Sequence, residues 1–140
     1  MQAEQLFQFL RSQKLRLTEQ RRGLVKVLSA SPLPLSVSGI RTGMKKIGVE
    51  ANKTTIYREL ERWDRFGLVE KTQLSEAEVS YELKRSHHHH LVCLRCQGVE
   101  NVVIDERKMK KEEERAQQEK NFFTLRHSLE FFGLCKQCRF

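Results

Sequence analysis

The sequence predicts an α+β chain in two parts, and three observations carry that expectation. Apolar residues recur at helical spacing through residue 66, and shorter strand-like runs follow. The excess positive charge is confined to the first two fifths of the chain. All four cysteines lie beyond residue 92, grouped as two Cys-x-x-Cys pairs. A chain of 140 residues is long enough for one ordinary domain or two small ones.

Each element can be justified in order. Residues 2–13 put Leu6, Phe7 and Leu10 on one helical face. Thr18 is an N-cap for a second helix that runs to about Ser29. Glu19 lies in its first turn, and Leu24, Val27 and Leu28 form its inner face. SASPLPLS, residues 29–36, holds both prolines and is predicted as a loop. A short helix from about Ser36 to Lys46 follows, and Gly48 breaks it. Asn52 caps the next helix, in KTTIYRELERWDRFG. There Ile56, Leu60 and Trp63 fall at i, i+4 and i+7, and Gly67 supplies the stop. LVEKTQL and VSYEL are predicted strands joined by a turn at SEAE.

The last three of these helices followed by a β-hairpin describe a winged helix, whose third helix enters the DNA major groove. The first turns of that helix present Lys53, Thr54, Thr55, Tyr57 and Arg58 away from the apolar stripe. Arg and Lys neutralise phosphates or read guanine, and Thr contacts phosphates or thymine methyls. Charge agrees with this reading. Residues 1–58 hold 11 Lys/Arg against 3 Glu, whereas residues 59–140 hold 15 of each sign. A localised basic region suits a partner with a phosphate backbone.

Beyond Leu83 the composition changes. Residues 1–83 are predicted as the winged helix, 84–86 as a hinge, and 87–140 as a small α/β unit. LVCLRC and VENVVI are predicted as short strands. DERKMKKEEERAQQEK, residues 105–120, is predicted as a helix whose charges mark a solvated face. FFTLRHSLEFFGL, residues 122–134, is predicted as one long strand with His127 on its inward face. So small a unit has too little core to be secure without a metal, a partner subunit, or both.

Cys93/Cys96 and Cys135/Cys138 have the spacing of two zinc knuckles that share one tetrahedral Zn²⁺. A dithiol redox pair is the alternative, and it leaves the second pair unexplained. His87, His88, His89 and His90 run straight into the first knuckle. In a strand they alternate, with His88 and His90 on one face and His87 and His89 on the other, which suits two nitrogen/oxygen metal sites. The run is internal and fused to an apolar strand, unlike a purification tag.

TTIYRELERW, YEL, HHHHLVCLRC, RHSLEFFGLC and the final Cys-x-x-Cys together resemble the ferric uptake regulator family, over about Leu15 to Cys138. The resemblance implies a homodimeric, metal-dependent repressor. Its winged helix would bind double-stranded operator DNA, and its C-terminal α/β domain would dimerise. It implies structural Zn²⁺ on Cys93, Cys96, Cys135 and Cys138. It implies a regulatory site of Glu82, His88 and His90, with Glu100 as a shifted acidic ligand, holding Fe²⁺ or Zn²⁺, with Mn²⁺ and Ni²⁺ also compatible. It implies a second metal site of His87, His89 and His127, with Glu106 and Glu112 the nearest acidic candidates. Two departures stand out: Ser36 occupies the place of a family histidine, and His89 the place of a frequent aspartate.

Rival classes stay open. One is a DNA-binding regulator with structural zinc only, and another is a peroxide-sensing relative. A metalloenzyme is disfavoured because no Gly-rich phosphate loop, nucleophile elbow or His-Glu-x-x-His occurs. No run is apolar enough to span a bilayer or to direct secretion, so a cytoplasmic protein without membrane contact is expected.

Overall fold

The computed structural model describes residues 2–140, in two compact units with the chain dividing between Arg85 and Ser86. The first unit contains α1 (Ala3–Ser12), α2 (Glu19–Ala30), β1 (Leu35–Ser36), α3 (Val37–Lys46), α4 (Lys53–Arg65), β2 (Val69–Thr72) and β3 (Ser80–Leu83). Caps define its helices. Thr18 Oγ1 accepts from the Arg21 N–H (3.2 Å), Ser36 Oγ from the Gly39 N–H (3.1 Å), and Asn52 Oδ1 from the Thr55 N–H (2.8 Å). Gly67, at φ +70°, ends α4. Its N–H donates to the Asp64 carbonyl, and Leu68 donates to that of Trp63.

The helical faces expected from periodicity form one core. Leu6 and Leu10, Leu24 and Leu28, Ile40 and Met44, and Ile56, Leu60 and Trp63 are all buried together with Tyr81 and Leu83 of the wing. A fully buried side chain of this size contributes about 1.5–3 kcal/mol. On α2 the buried face is centred on Leu24, Val25 and Leu28, while Val27 is only partly buried. Val27 instead fills the gap left by Gly43 of α3, where a Cβ would come within 3.0 Å of its Cγ1. Arg21 adds a polar tie, its guanidinium donating twice to Glu59 at 2.8 Å and so linking α2 to α4.

The wing is an antiparallel sheet in the order β1-β3-β2. Residues 29–36 are not wholly loop, because Leu35 and Ser36 pair with Tyr81 and Ser80 as a short third strand. A two-residue edge strand has no periodicity to display, so pattern alone does not reveal it. At the end of the unit, the Lys84 N–H donates to the Leu68 carbonyl (2.9 Å) and the Arg85 guanidinium to the Ser31 carbonyl (2.7 Å).

The second unit contains β4 (His89–Cys93), β5 (Val99–Val102), α5 (Glu106–Lys120) and β6 (Glu130–Gly133). β4 is central. It pairs antiparallel with β5 and parallel with β6, and α5 lies in the connection that a parallel pair needs. Asp105 caps α5 through the Arg107 N–H, and Asn121 ends it in the left-handed conformation.

The long strand expected over 122–134 is corrected: only Glu130–Gly133 is strand. Alternation marks which way side chains point, but a strand forms only where a neighbour supplies hydrogen bonds. β4 offers that partner to residues 130–133 alone. Phe122, Phe123 and Leu125 lie before it, 63%, 70% and 86% exposed.

Candidate metal centres and nucleic-acid interface

The four cysteines converge. Tight turns build both knuckles. The Gln97 N–H donates to the Cys93 carbonyl (2.8 Å), with Gln97 itself at φ +61°, and the Cys138 N–H donates to the Cys135 carbonyl (3.0 Å). Cys96 Sγ lies 3.9 Å from Cys135 Sγ, and all four sulfurs lie within 4.8 Å of one another. A tetrahedron with zinc–sulfur bonds of about 2.3 Å has edges of about 3.8 Å, so four sulfurs this close could close on one zinc ion. The electrostatics agree. Backbone N–H groups of Cys96 and Cys135 pull the Cys93 thiol down to about 6, favouring a thiolate. Cys138 is pushed up to about 12 by its hydrogen bond with Cys135 and by burial. A thiolate at Cys93 beside three further thiols is a donor set that suits a divalent cation.

A second constellation forms at the other end of β4. His87 Nε2 lies 3.0 Å from His127 Nε2 and 3.3 Å from Glu106 Oε1, and His89 Nε2 lies 2.8 Å from that same oxygen. The Nδ1 atoms decide the tautomers. His89 Nδ1 meets the Leu129 carbonyl (3.1 Å) and His127 Nδ1 meets Glu113 Oε1 (2.7 Å); both partners are acceptors, so each Nδ1 carries the proton. The Nε2 atoms of His89 and His127 are then directed inward, towards the Glu106 carboxylate and the His87 ring. Convergence of acceptor atoms on one point suits a cation, and fixing the far ring nitrogen is how proteins orient metal-binding imidazoles. The hydrogen bond between His89 and Glu106 holds the Glu106 carboxyl below the usual carboxylate range. These four residues could hold a first-row divalent ion.

Glu106 occupies the acidic position of this set, whereas Glu112 pairs with Arg115 (2.6 Å). Glu113, which braces the His127 ring, is the residue beside this set that sequence reasoning misses. Its signal is present: Glu106 and Glu113 are two helical turns apart on the half-buried stripe that also carries Met109 and Ala116. The charge run of α5 is therefore not only a solvated face.

The residues expected in the regulatory site are distributed as follows. Glu82 is a buried residue of β3, paired opposite Glu70. His88 lies just before β4, its Nδ1–H donating to the Ser86 carbonyl (2.9 Å), and its ring is 5.0 Å from that of His90. Glu100 is corrected. It pairs opposite Leu91, so it shares the sheet face of Leu91 and His89 rather than that of His90. Ser36 accepts the capping bond of α3.

In the first unit, Lys53, Thr54, Tyr57 and Arg58 are exposed on α4 and Thr55 is half-buried, opposite the core stripe. Glu78, at the end of the wing turn, lies 3.7 Å from Lys53 and accepts from Ser38 Oγ (2.9 Å). That hydrogen bond, with Lys53 nearby, holds Glu78 below the usual carboxylate range.

The model of the ferric uptake regulator family matches residues 12–132. The chain belongs to the ferric uptake regulator family. The family comprises metal-responsive, non-enzymatic transcription regulators that bind DNA and act as dimers. The ferric uptake regulation protein of Bacillus subtilis is 31% identical over 134 residues, covering 92% of this chain and 89% of that protein. The peroxide-responsive repressor PerR of Staphylococcus saprophyticus is 25% identical over 99% of this chain and 92% of its own length. Among solved structures, the Vibrio cholerae ferric uptake regulator superposes with a TM-score of 0.73 at 27% identity, covering 91% of this chain and 98% of that one. No helix among the described residues is long and apolar enough to cross a membrane.

Proposed function

We propose that this family member is a repressor that binds double-stranded operator DNA as a homodimer when a divalent metal is abundant. The observation that carries the reading is the inward-facing set of His87, His89, Glu106 and His127, braced by Glu113 and Leu129, in a chain that also exposes a basic α4. Cys93, Cys96, Cys135 and Cys138 are the proposed ligands of structural Zn²⁺. Glu82 of the winged helix, with His88 and His90 of the second unit, is the proposed regulatory set. Fe²⁺ or Zn²⁺ suits that nitrogen/oxygen set, and Mn²⁺ and Ni²⁺ are compatible with it. When bound, such an ion supplies a ligand bond to each half of the chain.

The chain's own residues supply the rest. Residues 84–86 serve as the hinge. Val103, Phe122, Phe123 and Leu125 are more apolar surface than so small a unit leaves in water, and a second copy is the proposed cover. In a dimer two α4 helices must stand about one DNA turn apart, roughly 34 Å, to engage two half-sites. Lys53 and Arg58 then meet phosphates or guanine, and Thr54, Thr55 and Tyr57 complete the interface.

The test is a titration of fluorescent operator, selected from a random duplex library by the metal-loaded protein. Fe²⁺ without oxygen, Zn²⁺ or Mn²⁺ is expected to tighten binding at least about tenfold, the usual scale of coupling between two sites. The H88A/H90A variant is expected to lose that response. Equal affinity with and without added metal, with zinc retained, would leave a constitutive regulator with structural zinc only. The similarity to a peroxide-responsive repressor favours one further measurement: release from DNA by peroxide, with oxidised histidine found by mass spectrometry, would make peroxide the signal.

A further inference from the structure

Outside the metal centres, the first unit carries a cleft of about 400 Å³. It opens between α3 and the start of α4, lined in part by Ser38, Arg41, Thr42, Lys45, Glu50 and Lys53. Arg41 and Lys45 are exposed and one helical turn apart on α3, beside the stripe of the buried Ile40 and Met44. Like charges at that spacing repel by a few tenths of a kcal/mol in the absence of a counterion. Among the described residues, none places a carboxylate within ion-pairing distance of Arg41 or Lys45. Lys53, across the cleft, is partly engaged by Glu78 at 3.7 Å. Glu50 is the one acid among the lining residues, and three cations oppose it.

The hydroxyls of the cleft already have partners. Ser38 Oγ donates to Glu78, and Thr42 Oγ1 donates to the Ser38 carbonyl. Beside Glu50 and the partly engaged Lys53, Arg41 and Lys45 are therefore the cations left to meet an incoming ligand, and both are donors only. A concave, solvent-open basic cleft beside the first turn of a helix that projects Lys53, Thr54, Tyr57 and Arg58 has the chemistry of a phosphodiester seat.

We propose that the cleft between α3 and α4 seats a DNA backbone phosphate, with Arg41 and Lys45 as its ligands. The proposal rests on the DNA-binding reading above and deepens it. Phosphate contacts position a protein on the duplex without reading its sequence, so Arg41 and Lys45 set affinity and register while α4 supplies discrimination. This seat belongs to the winged helix alone and does not require the regulatory metal.

The experiment measures the affinity of the full-length, zinc-replete protein for a fluorescent 30-base-pair mixed-sequence duplex at several salt concentrations. Four proteins are compared: wild type, R41Q/K45Q, the charge-conserving R41K/K45R, and K110Q/K111Q, which removes equal charge from exposed positions of α5. Each phosphate that is no longer neutralised lowers the slope of log K against log salt by about 0.9, so loss of the one seated phosphate costs on the order of tenfold at 0.1 M salt. R41Q/K45Q is expected to show that weakening equally on this duplex and on a selected operator. The other two variants are expected to stay within about threefold of wild type, since charge at Arg41 and Lys45 is all the cleft requires.

R41Q/K45Q that keeps the wild-type slope, while K53Q/R58Q still loses affinity, would overturn the phosphate seat and leave the DNA reading standing. R41Q/K45Q and K110Q/K111Q losing affinity equally would overturn it too, as a general charge effect. Inorganic phosphate at matched ionic strength that raises the melting temperature of wild type but not of R41Q/K45Q, with DNA affinity unaltered by the substitutions, would assign the cleft to a free anion instead. Wild type that binds no duplex at any salt would overturn both readings together.

Discussion

The two units are held together by different physics. In the first, four helices and the wing enclose side chains from every element: Leu6, Leu10, Leu28, Leu60 and Trp63 are all but removed from solvent. In the second, Val92 and Cys93 are the only buried apolar side chains among the described residues, and α5 buries none. What the second unit has instead is two inward-facing ligand clusters and an uncovered apolar surface. The first unit's fold follows from burial within one chain, whereas the second lacks such a core, and ions and a second copy are its proposed source of stability.

The largest expected effect tests that contrast directly. Removing metal with a strong chelator, or replacing Cys93 and Cys96 by serine, takes away ligation worth on the order of 10 kcal/mol in small zinc-dependent folds. Hydrogen exchange on the full chain is expected to show protection lost across residues 86–140 and kept across α2 and α4. Loss of protection in both units at once would mean that the contrast is not real. The reverse substitution follows in size. Trp63→Ala empties a fully buried site and is expected to cost about 3–5 kcal/mol in the first unit's unfolding free energy. Leu125→Ala, at 86% exposure, is expected to change single-chain stability by no more than about 0.5 kcal/mol and to raise the dimer dissociation constant. Denaturant melts and sedimentation at several concentrations separate these outcomes.

The same contrast explains what is legible in the sequence. In the first unit, local and global signals coincide. Ile56, Leu60 and Trp63 mark the stripe of α4, Asn52 its start and Gly67 its stop, and each feature does in the fold what its chemistry suggests. In the second unit the alternation of residues 122–134 predicts a strand, yet most of it has no strand beside it. Pairing is a property of neighbours, and sequence pattern does not report neighbours. The two Cys-x-x-Cys pairs are legible because knuckle geometry is local. Glu113 is not, because its partner His127 arrives from a different segment and the surrounding charges look like ordinary solvated helix. Arg41 and Lys45 are hidden for a similar reason: the cleft exists only once α3 and α4 are packed together.

Glu113 gives the next step down in size. Its carboxylate touches no proposed ion and acts through His127, fixing the ring tautomer at 2.7 Å. Glu113→Gln keeps the shape and removes the charge. It is expected to weaken metal binding at the His87/His89/Glu106/His127 set by about 10- to 100-fold, the scale for such supporting groups. Zinc content at the cysteines should be unchanged. Competition with a chromophoric chelator measures the first quantity and elemental analysis the second. An unchanged affinity would mean that His127 is oriented by packing rather than by this carboxylate.

The smallest effect returns to the first unit and asks whether its local signals carry energy as well as position. Asn52 Oδ1 accepts the Thr55 N–H at 2.8 Å and satisfies one of the donors left open at the start of α4. Asn52→Ala removes that acceptor from an exposed residue whose loss disturbs no core packing. The expected cost is about 1 kcal/mol in the first unit, measured by denaturant unfolding, with metal content unaltered. Lys53, Thr54 and Thr55 follow directly in the chain, so fraying of this turn moves the residues proposed to meet DNA. Asn52→Ala is therefore expected to weaken duplex binding, whereas a cap substitution at Thr18, far along the chain from α4, should cost similar stability with less effect on DNA. Equal effects from both caps would mean that global stability, not the order of α4's first turn, limits binding.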